Sequence, residues 1–564
     1  MICKKNFSLL FILLLLASYT YGQSIRVLVP YDGTAASYLV AQIKADTAQY
    51  HGIPADRVYM LQSGGLYLNT EIFNVMAGQT VRLKANGDMP IIYQYPTGTG
   101  SNPQRPPGNL FVLQGGNLEM TNIAVSGYFE PVDTNFNNVQ GGLINTSKEG
   151  SSIYIDHCLL TNINGQHIRT GSAAKVVKIT NTIFANMGAL STSNFGAGKG
   201  LDLREVSIDS LILVNNTFVN YQDRAVRHYN FTNPLAGTGG IGYCLIDHNS
   251  FVNGMGFHGL LSLGNLGGKA IITNNLFKDG FAAGEDSTDA TRTAEWGNTG
   301  EFYPNGLHRM CWIFNAPDST TQWTVSNNYY AISPDGQAFF NAHTKEPITA
   351  GQPLSWHINK RLGADSTKAF TKVDLTMAKI PKLMTAMMEW YVTPKPAGAG
   401  KTKNTPGGGW TRAYDMDRRP YKFFIDTMDC SYGTTVAAYT GAEKGFPAGD
   451  LNWYPTLKAL WDAGGSVVDV KQVDQLPTSF TLEQNYPNPF NPTTKIAYSV
   501  PKESKVKLEI FDILGRSVET LVNQVQKAGN YSIEFNATKL TSGIYFYRLS
   551  SPEQMVTKKM LLMK

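Results

Sequence analysis

The sequence predicts an all-β chain whose main body is a solenoid of stacked strands, and two observations carry that prediction. One phrase recurs: IDHCLLTN from Ile155, ITNTIFAN from Ile179, LVNNTFVN from Leu213, IDHNSFVN from Ile246, ITNNLFKD from Ile272 and VSNNYYAI from Val325. The composition agrees, with 54 glycines, frequent asparagine and only 16% charged residues, which suits a turn-rich β protein with little helix.

At the N-terminus, Lys4 and Lys5 precede an apolar run from Phe7 to Ala17 and a small, polar stretch from Ser18 to Gln23. That pattern predicts a secretory signal over residues 1–22, cleaved near Gly22. The run is shorter than the roughly 20 apolar residues that span a bilayer. No later segment is long and apolar enough either, so the mature chain is expected to lack a transmembrane segment.

The solenoid is expected over residues 23–335. Aligning the pivots of the repeated phrase, Leu160, Phe184, Phe218, Phe251 and Phe277 follow one another at 24, 34, 33 and 26 residues, and Tyr330 comes after an insertion. Such a period means single-coil units that stack. Alternating apolar positions and β-branched residues make each unit stranded rather than leucine-rich. Parallel strands about 4.8 Å apart would bring Asn216, Asn249, Asn275 and Asn328 into a ladder, each amide bonding the next coil. Asparagine also tolerates left-handed backbone, so these four are expected at the bend itself.

The phrase and its spacing resemble the pectate-lyase-type right-handed parallel β-helix, and Arg57 to Gln94 is similar to the usual opening coil of that superfamily. Residues 336–475 form a tail or insert region with a linker. It holds a helical stretch from Leu375 to Tyr391 and the phrase GFPAGDLNWYP from Gly445, which resembles a tail that follows such β-helices in exported proteins. Trp453 and Tyr454 within it are expected to pack a loop on the solenoid, with sugar binding as the alternative.

Residues 476–564 carry LPTSFTLEQNYPNPFNPTTKI from Leu476, FDILGR from Phe511, LTSGIYFYRL from Leu540 and TKKMLLMK from Thr557. This set closely resembles the C-terminal sorting domain of type IX secretion substrates, which implies an Ig-like β-sandwich, delivery to the cell surface or beyond, and the secretion machinery as a partner. Prolines 487, 489 and 492 suit an extended lead-in rather than a central strand. Lys505–Phe511 and Gly543–Arg548 alternate as sandwich strands do.

The formal charge of +5 is unevenly placed. Lys4 and Lys5 contribute +2, and eleven Lys and Arg against seven Asp and Glu in residues 476–564 contribute +4, which leaves about −1 for residues 23–475. The body therefore lacks the electrostatic footprint of a nucleic-acid binder. Cys158, Cys244, Cys311 and Cys430 are too widely spaced for a stapled scaffold or a zinc module, and Cys158 and Cys244 are expected as buried thiols.

A β-helix does not by itself define a function. In QHIRT, LDLRE and RAVRH, period two points Ile168, Leu203 and Val226 inward, so Arg169, Arg204 and Arg227 are expected outward on successive coils, between Asn145 and Ser262. Like charges about 5 Å apart repel by roughly 3 kcal/mol at an effective dielectric of 20. Such a column needs either pairing with Asp202, Glu205 and Asp223 or an anionic ligand such as a uronate chain, whose carboxylate a guanidinium grips with two hydrogen bonds. Val214 to Asn230 is similar to a phrase of polysaccharide lyase family six. That resemblance implies uronate β-elimination, with Arg204 in the base position, Arg227 and His228 as its partners, Lys199 as the reserve base, and Arg169, Asp202 and Arg224 as substrate contacts. The family's base is a lysine, and an arginine pKa above about 12 makes a poor base unless neighbours depress it.

Calcium often neutralises the uronate carboxylate in such lyases, and Asp202, Glu205 and Asp223 are the available oxygen ligands. IYIDHC at Ile153 resembles a calcium-aspartate motif of pectate lyases, but IDH recurs at Ile246 and reads as repeat consensus. A glycan hydrolase would need an outward aspartate cluster, and none is evident. The expected partner is an acidic polysaccharide, acted on by elimination; the rival reading is a non-catalytic adhesin or carbohydrate-binding scaffold.

Overall fold

The structure is a computed structural model that describes residues 24–96, 108–127, 141–188, 196–228, 239–264, 266–297, 299–343, 353–402, 411–467 and 479–564. The expected signal peptide lies outside the described residues. Two compact units are present, one formed essentially by residues up to 455 and one by the C-terminal residues.

The first unit is a parallel β-helix. Three all-parallel sheets of ten, eight and ten strands run its length, and the chain visits them in turn, once per coil. Each repeat phrase ends a strand of the first sheet, bends, and enters the third sheet. Phe184, Phe218, Phe251 and Phe277 stack inside, with centroids 4.6, 5.1 and 4.9 Å apart and interplanar angles of 7°, 11° and 7°. Leu160 and Tyr330 continue the register at either end. Stacking like on like gives every ring a complementary neighbour in the adjoining coil, which sets the registry of the sheet.

The asparagine ladder is present and fully buried. Asn216 Nδ2 donates to Asn249 Oδ1 at 2.9 Å, Asn249 to Asn275 at 3.0 Å and Asn275 to Asn328 at 2.8 Å. Its backbone differs from the expectation. Left-handed φ falls on the residue before each ladder asparagine, at Asn215, His248, Asn274 and Asn327, and at Asn181 before Thr182 in the same position of the preceding coil. The bend needs one residue to reverse the chain and the next to turn its amide inward, so the two roles are split. A second left-handed column follows at the far end of the third sheet: Asn162, Asn186, Asn220, Asn253 and Asp279.

Helix Leu39–Gln49 closes the first end of the core with Leu39, Val40 and Ile43. At the other end, Phe370–Lys372 adds a last strand to the third sheet. Cys158, Cys244, Cys311 and Cys430 are all buried free thiols.

The tail lies on the third sheet and reads both asparagine columns. Along the first, Leu451 N donates to Asn215 Oδ1 (3.2 Å), Asn452 Nδ2 to Asn215 O (3.1 Å), and Trp453 Nε1 to Thr217 Oγ1 (2.9 Å). Along the second, Asn220 Nδ2 donates to Asp417 O (2.9 Å) and Asn186 Nδ2 to Arg419 O (3.2 Å). Trp453 thus packs against the solenoid, and Tyr454 accepts a hydrogen bond from Tyr432 N at 3.0 Å. The expected helix near Leu375–Tyr391 is confined to Thr385–Val392.

The C-terminal unit contains a three-stranded and a four-stranded antiparallel sheet that share one core, built from Ile496, Leu508, Ile510, Phe535, Tyr547 and Leu562 among others. Strand Thr493–Val500 begins directly after Pro492, where backbone donors become available for pairing. Tyr547 Oη donates to Glu483 O and accepts from Asn485 N, both at 2.8 Å, which ties the lead-in to the sheet. Among the described residues no helix is long and apolar enough to cross a membrane.

Candidate functional site

The tail covers the third sheet, where strands such as Thr217–Tyr221 and Ser250–Gly254 are buried at every residue. The outer face of the second sheet carries the charged column instead. In register it reads Asn145, Arg169, Asp202, Arg227, Ser262. The expected run of three arginines is therefore corrected, because Asp202 occupies the place assigned to Arg204. The inward partner of Ile168 and Val226 is Leu201, not Leu203. Strand Lys199–Asp202 ends there, and Arg204 and Glu205 turn the chain with φ of 51° and 57°. Arg204 is exposed on that turn. The physical reason is the repulsion itself: a column alternating in sign removes it.

Arg227 is neutralised twice, by Asp202 at 3.0 Å and by Glu205 at 2.7 Å. His228 is buried with both ring nitrogens used by the backbone: Nε2 lies 3.0 Å from Val206 O and Nδ1 accepts from Gly264 N at 3.3 Å. Burial lowers its pKa to about 4, which keeps the imidazole neutral near pH 7.

Behind the column lies a buried ion cluster that periodicity did not reveal. Asp223 faces Lys199 Nζ at 2.9 Å, Arg224 Nε at 3.2 Å and His258 Nδ1 at 2.7 Å, and His258 Nε2 lies 3.6 Å from Glu295. Lys199 also donates to Gly196 O, and Arg224 Nη1 donates to Ser262 Oγ at 3.1 Å. Burial would raise the Asp223 carboxyl, but Arg224, Lys199 and His258 hold it far below the usual range. Burial lowers Lys199 against the pull of Asp223, with Arg224 adding to the effect, and lowers Arg224 to about 10. His258 was not among the sequence-predicted site residues, since a lone histidine in an irregular corner has no periodic signal.

Arg169 is different from its neighbours. It is half-buried, forms no ion pair among the described residues, and lines a cleft of ≈ 710 Å³ together with Asn109, Asn145, Asn164, Gln166 and the backbones of Gly141 and Gly165. Asn145 Oδ1 is buried there without a hydrogen-bond partner among the described residues. The cleft thus offers a planar cation, several amides and close backbone, a set suited to a carboxylate surrounded by hydroxyls.

Asp202, Glu205 and Asp223, the expected calcium ligands, are each committed to a cation of the chain itself. Among the described residues no group of three or more His, Cys, Asp or Glu is placed to hold a metal ion. Asp156, in the resembling motif, accepts hydrogen bonds from Thr180 (2.5 Å) and Asn181 (2.8 Å), and Asp247 repeats this with Thr273 and Asn274. Both aspartates brace the bend of the next coil.

Residues 484–563 match the family model of the secretion system C-terminal sorting domain. The C-terminal unit is thus a type IX sorting domain, which supports secretion or display at the cell surface and implies contact with that machinery. No curated protein matches the chain.

Proposed function

We propose that this exported β-helix binds an acidic, uronate-bearing polysaccharide along the outer face of its second sheet, as a carbohydrate-binding scaffold. The observation that carries the reading is Arg169, a guanidinium without an ion pair among the described residues, in a cleft otherwise lined by amides and glycine backbone. A uronate carboxylate supplies the missing counter-charge and can accept two parallel N–H bonds, while the amides serve the sugar hydroxyls. The full-length protein should bind alginate, polygalacturonate or chondroitin, with an affinity that falls as salt rises. Absence of binding to all three would refute it.

Uronate β-elimination is a second reading, favoured by Lys199. Its amine has a lowered proton affinity, belongs to the coil next to Arg169, and lies beside Arg224. Acting as base it would have to lose its proton and leave Asp223, then take the C5 proton as the C4–O bond breaks and the departing oxygen takes a proton from solvent, leaving an unsaturated uronate. Ultraviolet absorbance of those ends during incubation with the same polymers separates the two readings. Arg204, on its exposed turn, and His228, saturated by backbone, have no part in either.

A further inference from the structure

We propose a second carbohydrate subsite, for a neutral sugar, in the cavity where the tail leaves the rim of the third sheet. The cavity has a volume of ≈ 550 Å³ and is bounded by Tyr93, Asn162 and residues 412–421. It shares no lining residue with the cleft around Arg169, and the inference does not depend on the acidic-glycan reading.

The walls are built before any ligand arrives. Asn186 and Asn220 of the left-handed column hold the carbonyls of Arg419 and Asp417. Arg418 reaches back to the carbonyls of Asn186 (3.4 Å) and Gly188 (3.0 Å). Its Nε also meets Asp415 at 2.7 Å, and Arg412 meets the same carboxylate at 3.2 Å. Asp415 is thereby consumed in bracing the wall.

Two further features line the cavity. Tyr93 and Tyr421 stand at 88° with centroids 6.1 Å apart, forming a right-angled aromatic corner. Asp417 accepts from Lys382 N (2.9 Å) and Arg419 Nε (3.1 Å) through Oδ2, while Oδ1 has no partner among the described residues. The electron-rich ring face suits the C–H face of a pyranose, and a carboxylate oxygen accepts a sugar hydroxyl. Two arginines against two aspartates leave the cavity without a net field to attract an anion. These properties select a neutral sugar and separate this cavity from the arginine cleft.

The test is titration of the full-length protein with the hexaoses of glucose, xylose, mannose and galactose, followed by calorimetry. The wild type should bind at least one of them. Tyr421→Ala should weaken that binding by about tenfold or more, Tyr421→Phe should retain it, and Arg169→Ala should leave it unchanged. Where Tyr421→Ala lowers the melting temperature, Tyr93→Ala provides the same reading. No binding to any of the four, binding indifferent to both tyrosine truncations, or loss of binding in Arg169→Ala would each overturn the proposal.

Discussion

The second and third sheets of the β-helix are built from the same coils yet solve opposite problems. On the third sheet the tail bonds to both asparagine columns, whose amides hold coil to coil and coil to tail, while Asn220 Oδ1 stays buried without a partner among the described residues. On the second sheet no such cover lies over Asn145 and Arg169 among the described residues, and the polar groups there are charged, uneven and partly unmatched. Within one solenoid, then, neutral repeated amides hold one face, and irregular ionisable groups occupy the face to which we assign the glycan. Repetition allows this division because each coil needs to match only its neighbours.

The comparison breaks most easily in the interior column of the third sheet. Phe251→Ala removes a ring stacked on both sides and should cost about 3 to 5 kcal/mol, as large core truncations do. Chemical denaturation would measure it, and hydrogen exchange should show the loss spreading to neighbouring coils. A variant as stable as the wild type would remove the third sheet as the source of stability.

Next in size is the ladder. Asn249→Leu takes away the acceptor shared by Asn216 N and Asn216 Nδ2 and the donor to Leu213 O in a dry interior, at about 1 to 3 kcal/mol for each unsatisfied group. The same substitution at Asn145, on the second sheet, should cost much less, because its Oδ1 has no hydrogen-bond partner among the described residues to lose.

Acid should separate the two sheets again. His167 and His228, both on second-sheet coils, are neutral in the fold because burial lowers them to about 3 and about 4. A free histidine titrates near 6.5, so between that value and about 4 the unfolded chain binds protons that the folded chain refuses. Stability contributed by these sites is intact above pH 6.5 and declines as pH falls towards 4. Hydrogen exchange at pH 7 and pH 4.5 should show second-sheet strands opening first, and the amide ladder changing least. Equal loosening of both sheets would show that these histidines do not govern the difference.

Much of this was legible in the sequence. The phrase ending in the paired polar residues set the coil spacing, the phenylalanine stack and the ladder, because those features repeat and repetition averages out local noise. The sorting domain was legible from motif. The charged column was not, and Arg204 shows why. Strand Lys199–Asp202 is only four residues long, so alternation over LDLRE could not distinguish a register ending at Asp202 from one ending at Arg204. The split between Asn215 and Asn216 at the bend was equally hidden, since either residue tolerates left-handed backbone. Tail docking is non-local: nothing near Leu451 or Asn452 in sequence indicates that their partner is Asn215. Asp223 and His258, 35 residues apart, meet only because they sit on adjacent coils.

The most direct test of the glycan assignment compares two arginines that period two placed in one outward column. Binding of the full-length protein to polygalacturonate, alginate or chondroitin, whichever the wild type binds best, should be measured at low salt for Arg169→Ala and Arg204→Ala. The account predicts a loss of about tenfold or more for Arg169→Ala, the worth of one bidentate carboxylate contact, and a change within about twofold for Arg204→Ala, which removes one screened surface charge. Equal losses in the two variants, or a loss in Arg204→Ala alone, would contradict it.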